Sequence, residues 1–220
     1  MLKIRYRIDY LQEILLLFMG EFWDALNIRF VKYLFKNLYI ILYINMYLPK
    51  RNRIDGNKKI IFREKYKNYI NQGKPNGFWY SCYNSWYNWL IKEGMDSLLH
   101  NYIHKINIKS NIITDIWNKD KNKLLVIKNI SDFEVFHKRY SKKSKIIHSN
   151  EFISNEFINW KKVANDFGGI EICPCIPEYK KYIWFSLWDV ASGCVWNTES
   201  IIKNTELIYE KKGKKYLEVM

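Results

Sequence analysis

Past residue 58 the chain settles into short apolar runs set off by polar turns, and the period of each run predicts an element. Residues 59–64 carry Ile60, Ile61 and Phe62 in a run of strand length. Lys74, Pro75, Asn76 and Gly77 form a turn that delivers a second strand over 78–81, Phe78-Trp79-Tyr80-Ser81. A helix is expected next, because Ser85 suits a cap, Trp86, Trp89 and Leu90 recur on one face, and Gly94 ends it. Residues 103–108 and 123–130 read as strands. Ser131 and Glu134 have the spacing of a capping box, which opens a helix with Phe133, Phe136 and Tyr140 turned inward. The tandem Ser-Asn-Glu-Phe-Ile at 149–153 and 154–158 is too short for a repeat architecture and reads as a loop expansion.

Trp160, Val163, Ala164 and Phe167 mark a further helix, stopped by Gly168 and Gly169. Ile170, Glu171 and Ile172 then begin a strand in which Glu171 points away from its neighbours. Residues 182–188 read as a strand, 189–193 as the turn after it, and 207–209 with 216–219 as a closing hairpin. Strands and helices interleave without a regular βαβ period. The expected class is therefore α+β, with a split mixed or antiparallel sheet and flanking helices.

The first part of the chain is patterned differently. The apolar run 14–19 is short and is followed by Glu21 and Asp24, which does not make a signal peptide. Residues 33–48 are more apolar, yet Lys36 on one side and Lys50 and Arg51 on the other leave less than the ~20 residues a bilayer span needs. A buried or interfacial helix is favoured there over membrane association. The polar stretch 50–58, with Asn52, Asp55, Gly56 and Asn57, is expected to be a linker. It divides the chain into a helical N-terminal appendage, 1–57, and an α+β domain, 58–220.

Composition sharpens this picture. Of nine tryptophans only Trp23 precedes residue 79, so the material for one large core lies in the second region. The net charge of +14 suits nucleic acid, anionic lipid or a phosphorylated small molecule, and equally a merely basic solvated surface. Four cysteines are too few for a disulfide scaffold, which predicts a reducing, intracellular and cytoplasmic setting. Cys173 and Cys175, with Cys82 and Cys194, lack the C-x2-C spacing of a zinc knuckle, so free thiols and no obligate metal are expected. His100 and His104 have no third ligand in sight and read as surface or packing residues. P-loop, G-x-G-x-x-G, H-E-x-x-H and G-x-S-x-G strings are absent from the sequence.

What the chain does offer is a spaced constellation: Arg63 late in one strand, Ser81 ending the Phe78-Trp79-Tyr80-Ser81 strand, and Glu171 on a late strand. In this order, across residues 59–197, the sequence resembles the Arg-Ser-Glu class of ADP-ribosyltransferases. The resemblance implies a split α+β sheet holding NAD as substrate in its central cleft and ADP-ribosyl transfer to an unidentified protein or nucleic-acid acceptor. Glu171 would stabilise an oxocarbenium-like transition state through the ribose 2′-OH, as carboxylates do in glycoside hydrolysis. Arg63 would pair with the pyrophosphate, Ser81 would orient the carboxylate, and Trp79 or Tyr80 would stack on a ring of NAD. Gly169 stands where arginine-modifying members carry a second Glu or Gln, so arginine is not implied as the acceptor. Asp189 is the next carboxylate in line. Two readings of other classes stand beside this one: a basic, aromatic-rich nucleic-acid-binding module, and a non-catalytic interaction domain whose tryptophans are core.

Overall fold

The strand-forming runs pair into one continuous sheet in the computed structural model, which describes residues 50–220 apart from 64, 65, 71, 72, 149, 150, 176, 214 and 220. In chain order its strands are β1 (Arg51–Asp55), β2 (Phe78–Cys82), β3 (Tyr102–Ile108), β4 (Ile113–Thr114), β5 (Asp120–Ile127), β8 (Phe167–Ile172), β9 (Ser192–Val195), β10 (Ile202–Lys212) and β11 (Lys215–Glu218). They lie in the order β11-β10-β3-β1-β2-β9-β8-β5-β4. All neighbours are antiparallel except β4 with β5 and β5 with β8, which are parallel. Between β5 and β8 the chain builds a separate two-stranded hairpin, β6 (Ser141–His148) with β7 (Glu151–Ile158). The helices are α1 (Ser85–Lys92), α2 (Ile130–Tyr140), α3 (Trp160–Asp166), α4 (Ile183–Ser186) and α5 (Thr198–Ile201). The class is α+β and sheet-rich, with a single mixed sheet where a split one was expected.

The chain divides into two units, Met1–Tyr47 and Leu48–Met220. The helix expected over 33–48 and the rest of the N-terminal appendage through residue 49 lie outside the described residues. No helix among the described residues is long and apolar enough to cross a membrane.

Several expectations change, each for a local reason. The polar stretch expected as a linker is β1, seated between β2 and β3. Its Arg51 and Asn52 are buried because each finds polar partners inside the fold, which hydrophobic patterning does not register. Residues 60–63 are not a strand; Ile60 and Phe62 instead pack onto one face of the sheet from a loop. The aromatic run 182–188 follows a 3-10 turn, Pro177–Lys181, and folds around α4 in place of the expected strand, so Trp184, Phe185 and Trp188 meet the core at helical spacing. Gly168 and Gly169 stop no helix but lie within β8, and the tandem repeat contributes β7. The cap of α2 is Asn129, whose side chain accepts from Asp132 N at 2.9 Å, two positions earlier than a Ser131 box would begin.

Strand alternation assigns each side chain to a face. On one face Leu125, Ile127, Ile170, Ile172, Cys194 and Trp79 meet α2, α3 and the 177–188 segment. That layer is built of rings: Phe133 stacks on Tyr179 with centroids 3.6 Å apart, and Trp160 and Trp184 meet edge to face at 6.0 Å. On the other face Phe78, Tyr80, Leu124, Val126 and Val195 pack under Ile201, Ile202 and the 60–66 loop.

Candidate functional site: a tryptophan-lined pocket

The register of β2, β9 and β8 decides where the expected site residues fall. Gly193 pairs with Tyr80 on one side and with Glu171 on the other. Having no side chain, Gly193 lets the Tyr80 ring lie across it, and the Tyr80 hydroxyl donates to Glu171 Oε2 at 2.7 Å. Arg51 closes the cluster with a two-pronged contact, Nε to Oε2 at 2.6 Å and Nη2 to Oε1 at 3.0 Å. Glu171 is 0% exposed. Burial would lower the Arg51 pKa, but Glu171 and Tyr80 outweigh it and hold the guanidinium above its ordinary value. Burial likewise pushes the Tyr80 hydroxyl well above the usual tyrosine range, with the Glu171 charge adding to it. The carboxylate expected to act on NAD is thus enclosed by an arginine and a tyrosine of this chain.

The other members of the constellation are elsewhere. Arg63 lies in an exposed loop and lines a polar surface pocket with Arg53, Asp55 and Tyr66; Glu171 is not part of that pocket. The guanidinium on Glu171 is that of Arg51, hidden from sequence reading inside an apparent linker. Ser81 is buried and faces away from Glu171, since it alternates with Tyr80 along β2. Its hydroxyl donates to Asn52 Oδ1 at 2.9 Å, and the Asn52 amide in turn donates to the Tyr83 carbonyl. This pair braces the turn at Tyr83, whose φ of 53° is left-handed. Arg63, Ser81 and Glu171 therefore do not share a cleft.

Trp79 does reach a cavity. It alternates to the same face as Ser81, half-buried, its ring 4.8 Å from that of Trp188. Helix α1 follows directly and presents Trp86 and Trp89, three apart, while Leu90 from the next row anchors the helix in the core. Trp79, Trp86, Trp89 and Trp188 line a cavity of about 210 Å³, with Val190 and Ser192 completing the wall. Trp188 is the fixed wall at 1% exposure. Its indole N–H, like that of Trp160 and the Tyr179 hydroxyl, has no hydrogen-bond partner among the described residues.

Two charges sit on the rim. The Lys74 ammonium lies 5.8 Å from the Trp79 ring centroid and 3.1 Å from Asp189 Oδ2. Both side chains stay open to solvent, at 41% and 43% exposure, so the pair is a weak tie. Trp86 and Trp89 were legible only as the apolar face of a helix. Their clustering with Trp79 and Trp188 depends on the α1 and 183–190 segments meeting over one end of β2.

The cysteines are all free thiols. Cys82 and Cys173 follow Tyr80 and Glu171 by two residues and share their face. The hydrogen bond from Cys82 draws the Cys173 pKa down and drives that of Cys82 up. No group of three or more His, Cys, Asp or Glu residues with metal-binding geometry occurs among the described residues. No protein-family model matches this chain, and no curated protein or solved structure shows significant similarity to it.

Proposed function

We propose that this domain is a binding module for single-stranded nucleic acid, which seats one base in the tryptophan pocket and holds the phosphate backbone with its basic surface. The observation that carries the reading is four tryptophans gathered around one open cavity on a chain of net charge +14. Indoles on several sides of a slot suit a flat ring, and base–aromatic stacking contributes ~1–3 kcal/mol per base. The cavity, about 210 Å³, is below the ~300–1,000 Å³ typical of sites that enclose a whole small molecule. It suits one ring of a longer ligand better than an enclosed dinucleotide such as NAD, and Trp79 is proposed as one of its stacking residues. The positive charge favours a polyanion over a cationic guest for the same indole cage.

The test is a titration of the full chain with a mixed-sequence single-stranded oligonucleotide, read by tryptophan fluorescence. Quenching is expected, with affinity that falls as salt rises because bound phosphates release counterions. Trp86→Ala and Trp89→Ala, both on the half-exposed wall, should each weaken binding by roughly 5- to 150-fold, the equivalent of losing one stacked base. Wild-type protein that neither quenches nor binds, or variants that bind as well as wild type, would overturn the proposal. A parallel titration with NAD that gave tighter binding and released nicotinamide would return the ADP-ribosyl reading to first place.

A further inference from the structure

We infer that the pocket selects guanine, through the Lys74 and Asp189 pair on its rim; the inference rests on the base-stacking reading above. A slot made only of indoles accepts every base, since each has a π-face. Discrimination must therefore come from polar groups that meet the edge of the stacked ring. The charged ones in the cavity lining are two: Asp189, whose carboxylate accepts only, and Lys74, whose ammonium donates only, held 3.1 Å apart at the mouth of the same cavity.

The order of donors and acceptors on the bases then decides among them. Guanine carries an acceptor, O6, followed by two adjacent donors, N1–H and the N2 amino group. Two carboxylate oxygens can take both donors at once, and an ammonium beside them can donate to O6. Adenine and cytosine each offer one exocyclic amino donor, and thymine a single N–H between two carbonyls that a carboxylate repels. Adenine and cytosine can pair that donor and the ring nitrogen beside it with one carboxylate oxygen and the ammonium, but only guanine fills both carboxylate oxygens and the adjacent ammonium together. The geometry of the free protein suits this, because Lys74 and Asp189 satisfy each other while both remain open to solvent. A guanine edge would exchange one exposed ion pair for three charge-assisted hydrogen bonds at the margin of an apolar slot.

The experiment compares oligothymidine with the same strand carrying one central guanine, adenine or cytosine, using the full chain and the fluorescence readout. The guanine strand should bind on the order of tenfold tighter than the other three, the discrimination a bidentate contact gives. Asp189→Asn replaces one acceptor by a donor and should abolish that preference, bringing the affinity ratio of the guanine strand to oligothymidine down to about one. Lys74→Gln should reduce the preference without erasing it. Equal affinity for all four strands, or an Asp189→Asn variant that still prefers guanine, would overturn the inference while leaving base stacking intact. Failure of every strand to bind would remove both. Guanosine monophosphate is the second arm: affinity equal to that of the guanine strand would keep guanine selection and identify a free nucleotide as the ligand in place of a strand.

Discussion

Gly193→Ala is the most direct probe of how the sheet is put together. An ideal Cβ on Gly193 falls 2.3 Å from Tyr80 Cζ and 2.4 Å from its hydroxyl oxygen, far inside contact distance and against a rigid ring. The ring must move. Overpacking of this kind costs ~1–3 kcal/mol, and losing the hydrogen bond from Tyr80 to the buried Glu171 carboxylate costs a further ~1.5–3 kcal/mol. The variant is expected to lose ~3–5 kcal/mol, a large share of the ~5–15 kcal/mol that stabilises a typical domain. Urea unfolding followed by tryptophan fluorescence reads this well, because eight of the nine tryptophans lie in the second unit. A double-mutant cycle isolates the cause. With Tyr80→Ala already in place the added methyl has nothing to strike, so Gly193→Ala should then cost under ~1 kcal/mol, a coupling at or above the usual range for touching residues. A Gly193→Ala protein within ~1 kcal/mol of wild type, or a penalty that persists after Tyr80 is truncated, would refute the reasoning.

Two other substitutions address the charged groups. Glu171→Gln leaves the Arg51 guanidinium buried without its counter-charge and should destabilise by ~3–5 kcal/mol, whereas the apolar pair Arg51→Met with Glu171→Leu should recover part of that loss; urea midpoints decide, and a Glu171→Gln variant as stable as wild type would show that the pair is dispensable. Asp166 is drawn upward by partial burial, but the Tyr140 hydroxyl at 2.6 Å and the Lys119 ammonium at 2.9 Å outweigh this and hold its carboxyl below the usual range. With a folded-state value below the unfolded one of ~3.9, its stabilisation is fully present above that pH and is lost as pH falls through the folded value. Asp166→Asn should therefore lower the melting temperature at pH ~7, with the gap narrowing as pH falls below ~3.9, and a gap that stayed constant on acidification through that range would contradict the assignment.

The parts of the fold that hydrophobic periodicity governs were legible in the sequence. The strand at Phe78, helix α1, the inward Phe133, Phe136 and Tyr140 of α2 and the closing hairpin all appear where the pattern places them. What patterning missed is polar burial. Arg51-Asn52-Arg53 has the composition of a linker, and only its partners, Glu171 for Arg51 and Ser81 for Asn52, make it a central strand. The same blindness misdirected the site. Glu171 alternates with apolar neighbours and looks solvent-facing, because the pattern cannot reveal that both faces of this sheet are covered. Aromatic residues mislead in the opposite direction: Trp86 and Trp89 count as core in any periodicity argument, yet they are half-exposed and form the walls of the open pocket.

The order of the large sheet has a consequence for how copies of the protein meet. Its outermost strands are the places where another chain could add by backbone pairing, and both are poor templates. Strand β4 is two residues long, and β11 is four residues, beginning with a lysine and ending with a glutamate. The longer strands inside them, β10 and β5, carry register shifts and are partly covered on their outer side, β10 by β11 at Tyr209–Lys212 and β5 by β4 at Leu124 and Leu125. Short and charged margins of this kind are how wide sheets avoid joining edge to edge, and the terminal hairpin thereby acts as a guard on the Tyr209–Lys212 end of the eleven-residue strand.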